Sequence, residues 1–387
     1  MQGLGDTTSR LARLKHSNPM RRPSRDLEGL TETQNFGANP GALRMLTYCP
    51  PDLPPSAPLV VVLHGCSQDG ESYASDAGWL SLALELGFCV LMAEQRSANN
   101  PNRCFNWFQP TDVTRGLGES ASIAAMVGHA IIEHRLDQTR VFITGLSAGG
   151  AMAAAMLATY PDLFAGGAVI AGLPFGVASS MPDALMAMHR ASPMSNVELG
   201  MRVRDAGPAG AVTPRLAIWY GGADSVVSPA NGEQLAAQWA AAVGAIGPEN
   251  IQSGGVSRQI WREPMTKAVL VELNRVPGLG HGAPLATLGP GGVGTTGPYM
   301  LEAGVSSSRE ILRFWDVAPG KASRFPAPRS PPSLNVSTGD YLERPSPPTP
   351  ERRQNIADIV LKSVSPHVSG RVQDVIAKAL RSAGLMK

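Results

Sequence analysis

The sequence predicts an α/β domain: a mostly parallel central sheet with helices on both faces, followed by a proline-rich linker and a short helical tail. Three observations carry that expectation. Unbroken apolar runs, the composition of strands buried on both faces, recur along the chain and begin with Leu59-Val60-Val61-Val62-Leu63. Longer segments of helical character separate these runs. The alternation then persists from residue 59 to about residue 315, which a parallel sheet with crossover helices explains.

Taken in order, residues 1–37 are polar, turn-rich and without period, and read as a flexible basic segment. The folded domain is expected over 38–318. After the first strand, a helix is predicted near 76–86 and a second apolar strand over 88–93. A helix over 119–134 leads to a third strand at 140–144, and a helix of small residues follows over 147–159. Further strands are expected at 166–171, 215–220 and 268–273, with helices at 231–243 and 306–315. Residues 283–298, with five glycines and three prolines, read as a long flexible loop. Nine prolines among residues 319–350 mark an extended linker, assigned to 319–351. In the tail, 352–387, Val372, Val375, Ile376, Ala379 and Leu380 recur at helical spacing and give one apolar stripe. Too short to fold alone, the tail is expected to dock on its own domain or on a partner.

Composition excludes several classes. The 387 residues carry 33 basic and 31 acidic groups, and hydrophobic residues make up 43%, enough for a large core. No run of 18 apolar residues exists, so no transmembrane segment is expected. The near-neutral total hides a gradient, with six basic groups against Asp6 in 1–25, and 16 basic against 25 acidic over 26–320. An acidic central domain gives no reason to expect nucleic acid as a partner. The basic N-terminus lacks a continuous apolar stretch and shows no secretion signal, which makes the cytoplasm the default expectation. Four cysteines, Cys49, Cys66, Cys89 and Cys104, fall in one window whose spacing matches no zinc pattern.

Chemistry concentrates at Gly145-Leu146-Ser147-Ala148-Gly149, directly after the strand Val141-Phe142-Ile143-Thr144 and before a helix. A sharp strand-to-helix turn of this kind exposes a serine in strained backbone, and small neighbours let the helix N-terminus face developing negative charge. Ser147 is therefore the candidate nucleophile. In such a domain the acid and then the base follow it in the chain. Asp224 ends a predicted strand and turn, Leu216 to Ala223, and is the candidate acid; Asp162 reads as a turn residue, and Asp183 and Asp205 as loop residues. His281, in Gly278-Leu279-Gly280-His281-Gly282, is the candidate base, while His367 lies beyond the linker. Oxyanion donors are expected from the Ala148 N–H and from the loop His64-Gly65-Cys66-Ser67-Gln68, with Cys66 N–H the donor and His64 structural.

His64 to Gln68, Asn102-Arg103-Cys104-Phe105-Asn106-Trp107-Phe108, the Ser147 pentapeptide and Gly278 to His281 together resemble the poly(3-hydroxybutyrate) depolymerase-type esterases, of α/β-hydrolase fold, near the feruloyl and acetylxylan esterases. The resemblance runs from about residue 38 to 317. It implies a triad of Ser147, Asp224 and His281, oxyanion donors at Cys66 and Ala148, and a Cys66–Cys104 disulfide. Trp107 and Phe108 would line the acyl groove. The residues alone leave buried free thiols and ordinary core aromatics equally open. No metal or organic cofactor is implied. The implied partner is an ester substrate: a hydroxyalkanoate oligomer or polymer, with acylated sugars as the alternative. A non-catalytic scaffold of the same fold is the third reading. The resembled family is largely secreted, in tension with the absence of a visible signal and in keeping with a disulfide.

Overall fold

Unbroken aliphatic runs build the sheet because both of its faces are covered. The computed structural model describes residues 29–253 and 255–317. Within them the strands are β1 (Leu30–Thr33), β2 (Arg44–Tyr48), β3 (Leu59–Leu63), β4 (Cys89–Glu94), β5 (Val141–Leu146), β6 (Gly166–Ile170), β7 (Arg215–Gly221), β8 (Ile246–Ser253), β9 (Val256–Arg262), β10 (Val269–Val276), β11 (Ala283–Leu285) and β12 (Met300–Glu302). The helices are α1 (Gly70–Asp76), α2 (Trp79–Leu86), α3 (Pro110–Val113), α4 (Gly118–His134), α5 (Ala148–Thr159), α6 (Met181–His189), α7 (Asn196–Ala206), α8 (Ala230–Val243) and α9 (Ser307–Phe314).

Ten strands form one sheet in the order β1-β2-β4-β3-β5-β6-β7-β10-β9-β8. The six from β4 to β10 are parallel, and the two strands on each outer side are antiparallel. Side chains alternate between two cores as the pleat requires. Leu59, Val61, Leu63, Ile143 and Ile218 pack under α4, α5 and α8, whereas Val60, Val62, Phe142 and Trp219 pack under α1, α2 and α9. Burying each large aliphatic side chain is worth roughly 1.5–3 kcal/mol, so β3, buried at every position, anchors both layers. On the second face, the Trp315 ring stacks between Phe142 and Trp79, at 4.9 and 6.1 Å.

The predicted parallel architecture is what the described residues form, with four differences. The helix expected at 76–86 is α2, which starts only at Trp79, after Gly78 with φ 84°, and the unexpected helix α1 precedes it. The flanking strands β1, β2, β8 and β9 were not expected; β1 lies inside the stretch read as flexible, and Leu30 pairs with Tyr48. Asp183 and Asp205, read as loop residues, lie in the helices α6 and α7. The stretch 283–298 is anchored rather than featureless: β11 pairs with β12, Val293 is buried, and Thr295 N–H donates to Asp76 O at 2.8 Å. The proposed linker 319–351, the tail 352–387 and the residues before 29 lie outside the described residues. Among the described residues, no helix is long and apolar enough to cross a membrane.

Candidate active site

Ser147 stands between β5 and α5 with φ 57° and ψ −118°, a conformation that non-glycine residues hold only when their surroundings over-determine it. Those surroundings are close-fitted backbone. Ser147 N–H donates to Ile170 O at 2.9 Å on the neighbouring β6. A side chain at Gly149 would come within 2.3 Å of Leu63 O, so α5 can reach the end of β3 only with glycine there. Every residue of α5 is buried, and its alanines let the helix lie close against the sheet.

The acid and the base come from adjacent loops that hold each other. Ala223 N–H donates to Leu279 O at 2.9 Å and Gly222 N–H to Val276 O at 2.8 Å. Gly221 permits this approach, because a Cβ there would sit 2.2 Å from Leu279 O. Across the junction His281 Nδ1 lies 2.7 Å from Asp224 Oδ2, and His281 Nε2 lies 3.0 Å from Ser147 Oγ. The remaining oxygen, Asp224 Oδ1, accepts the N–H groups of Val226 and Val227, each at 2.9 Å. This carboxylate is 1% exposed, so its lone pairs are met by fixed donors rather than water. With the Nδ1–H group donating to Asp224, Nε2 is left without a proton and can accept from the Ser147 hydroxyl. The rival acid Asp162 is committed elsewhere, in a two-pronged ion pair with Arg115 at 2.7 and 2.8 Å.

Cys66 is disulfide-bonded to Cys104, and Cys49 to Cys89. The second bridge was not anticipated, since connectivity cannot be deduced from sequence alone. Ala148, the first residue of α5, carries one of the helix's orphan N–H groups. His64 is buried, with Nδ1 at 2.7 Å from Gly65 O and Nε2 accepting Gln95 N–H at 3.0 Å. Burial holds it below the usual histidine range, so it is a neutral structural imidazole. The aromatic pair divides. Trp107 is partly exposed and packs against a small cluster of Ala151, Leu173, Ala187 and Val227, in which Ala151 is one helical turn past Ser147 and Val227 three residues past Asp224. Phe108, edge-on to it, is only 4% exposed.

Several residues at the site escaped sequence reasoning. Tyr299 lies edge-on to the His281 ring at 5.8 Å, and Gln68 Oε1 accepts Gly65 N–H at 2.8 Å. Glu119, at the start of α4, is 1% exposed and accepts from Asn106 and Gln95. Burial, reinforced by Asp112, pushes its carboxyl up to about 8 against the pull of those donors. Nothing in the sequence separates it from an ordinary acidic residue in a first helical turn.

The family model described as Esterase PHB depolymerase matches residues 44–261. Poly(3-hydroxyalkanoate) depolymerase C of Paucimonas lemoignei is 39% identical over 302 residues, 76% of this chain and 72% of that protein. Feruloyl esterase B of Neurospora crassa is 32% identical over 241 residues, 60% of this chain and 81% of the relative. Among solved structures, the acetyl xylan esterase from Aspergillus awamori matches with a TM-score of 0.59 and 27% identity, over 65% of this chain and 93% of that one. The chain therefore belongs to the PHB depolymerase esterase family, has the α/β-hydrolase fold and is a carboxylic ester hydrolase.

Proposed function

We propose that this esterase works through an acyl-enzyme, with Ser147 as nucleophile, His281 as base and then acid, and Asp224 holding the imidazole. The observation that carries the reading is the unbroken line from Ser147 Oγ through His281 to Asp224, with steps of 3.0 and 2.7 Å. Ser147 Oγ bonds to the ester carbonyl carbon while its proton passes to His281 Nε2. Asp224 stabilises the imidazolium without taking the proton. The N–H groups of Cys66 and Ala148 receive the oxyanion. As the tetrahedral intermediate collapses, the carbon–alkoxy bond breaks and Nε2–H protonates the leaving alcohol. Water, deprotonated by His281, then attacks the acyl-enzyme, and the acid leaves as Ser147 regains its proton.

The substrate we assign is a short-chain hydroxyalkanoate ester, oligomeric or polymeric. The higher identity to a poly(3-hydroxyalkanoate) depolymerase, 39% against 32% for a feruloyl esterase, supports it. An acylated sugar is the second reading, favoured by the fold match to an acetyl xylan esterase. In either case Trp107 is the residue we expect against the acyl or alcohol group. Hydroxybutyrate oligomers, aryl esters, and acetylated and feruloylated sugars, assayed side by side, test the assignment. We expect kcat/KM on the oligomers to exceed that on the sugars at least about tenfold; the reverse order overturns the substrate class. Ser147→Ala should lose turnover and fluorophosphonate labelling, keeping at most the roughly 10³–10⁴ over water that binding and the oxyanion donors supply. Normal turnover by that variant would remove Ser147 from the mechanism.

A further inference from the structure

The segment from Gln95 to Asn106 takes no part in the chemistry above, yet it grips the oxyanion loop at three points. Ser67 N–H donates to Asn102 O at 2.7 Å, Ser67 O accepts Arg103 Nη2 at 2.8 Å, and Cys66 is bonded to Cys104. Ser67 and Arg103 both have left-handed backbone, with φ 64° and 50°, a strain that persists only where neighbours enforce it. The gripping segment hangs in turn from one buried carboxylate. Glu119 accepts Asn106 N–H at 2.9 Å and Asn106 Nδ2 at 2.8 Å, and it also accepts Gln95 Nε2.

Two routes lead from these contacts to Cys66. Gln95 Nε2 also donates to Cys104 O at 3.2 Å, and Gln95 N–H holds His64, two residues before Cys66. Asn106 Oδ1 accepts Asn100 Nδ2 at 3.0 Å, and Asn100 Oδ1 accepts the N–H groups of Asn102 and Cys104 at 3.0 and 3.4 Å. Asn102 and Cys104 are two of the three gripping residues. A buried polar network of this kind is rigid only while every member is satisfied.

We propose that Glu119 is a positioning residue for ester hydrolysis: it fixes the direction of the Cys66 N–H through Gln95 and Asn106, without touching substrate. The inference rests on the proposed acyl-enzyme mechanism at Ser147, in which Cys66 N–H is an oxyanion donor. Deleting an oxyanion donor outright costs about 10²–10³ in kcat. Misaiming one costs less, so Glu119→Gln, which sets an amide N–H against the donors of Gln95 or Asn106, should lower kcat about tenfold above pH 8, where the parent carboxyl is ionised and accepts from both. KM should stay within about twofold, because the donor acts in the transition state and not in ground-state binding.

Two measurements keep the proposal separable from a general loss of fold. Affinity for a trifluoromethyl ketone, whose adduct carries the oxyanion, should fall in parallel with kcat/KM. If Glu119→Gln does not fold, Gln95→Met cuts the bridge to Cys104 while keeping the backbone N–H on His64, and should show the same kcat-selective fall. Unchanged kcat in a folded Glu119→Gln or Gln95→Met overturns the proposal, as does a fall confined to KM. Retained activity in Ser147→Ala would instead overturn the reading beneath it, so the two failures are distinguishable.

Discussion

The two halves of the proposed active site are held by different means. On the oxyanion side, residues 64–119 are fastened by a disulfide, a buried carboxylate and a neutral buried imidazole. On the acid–base side, the loops carrying Asp224 and His281 have no covalent tie. They rest on backbone hydrogen bonds between 222–223 and 276–279, on a close approach through Gly221, and on the Tyr299 ring. The difference matches the tasks. Oxyanion donors act by standing still where charge develops, and any reorganisation at that moment costs rate. The imidazole must take a proton from one oxygen and hand it to another, so its support needs to fix tautomer and direction rather than freeze every atom.

The largest expected effect tests the acid–base side. Asp224→Asn should lower kcat by up to about 10⁴ with the fold intact, because the imidazole loses the tautomer that leaves Nε2 free. A small loss there, with a large one for Asp162→Asn, would reverse the assignment of the acid. Next comes the covalent tie. The Cys66–Cys104 bridge closes a separation of 38 residues, for which chain entropy gives about 4 kcal/mol of stability. Cys66→Ala/Cys104→Ala should therefore shift the denaturant midpoint strongly and lower kcat about tenfold. Alkylation without reduction, read by mass spectrometry, should label none of the four cysteines.

A third test concerns Glu119, whose carboxyl burial pushes up to about 8. Between about 4.5, the unfolded value, and 8, the folded state holds a proton that the unfolded chain releases. Stability should thus fall as pH rises through that window, by an amount on the order of a few kcal/mol. Asp112, also raised by burial, acts in the same direction. Chemical denaturation from pH 5 to 9 should show this slope in the parent and a flatter one in Glu119→Gln; equal slopes would show that Glu119 titrates normally. Smallest is Tyr299→Ala, which removes one ring contact from His281 and should cost kcat only a few-fold.

The parallel core was legible because a strand buried on both faces has few compositions available to it; Leu59 to Leu63 reads as nothing else. Ser147, Asp224 and His281 were legible for a related reason, since each stands at the end of such a strand beside glycines that only a crowded turn requires. The outer strands were not. β8 contains Pro248, Glu249 and Asn250, which an outermost strand tolerates and a central one does not, so it carries no apolar signature. The α7 start was written as Ser195-x-x-Glu198, a capping box, but the polar composition beyond it, with Arg202, Arg204 and Asp205, obscured the helix. Glu119 and Tyr299 were illegible in principle, because their importance lies in partners far along the chain.

The bridges Cys49–Cys89 and Cys66–Cys104 interleave along the chain, each enclosing one end of the other. One peptide-bond cut anywhere between residues 49 and 104 therefore leaves the two pieces covalently joined, whichever bond is opened. The exposed turn Arg96 to Asn99, where a protease would find the easiest purchase, lies inside that span. A nick there would separate no fragments, and the strands on either side would stay paired within the sheet. The two cross-links thus make this region hard to dismantle by single cuts, and fragments from it should part on a gel only after reduction.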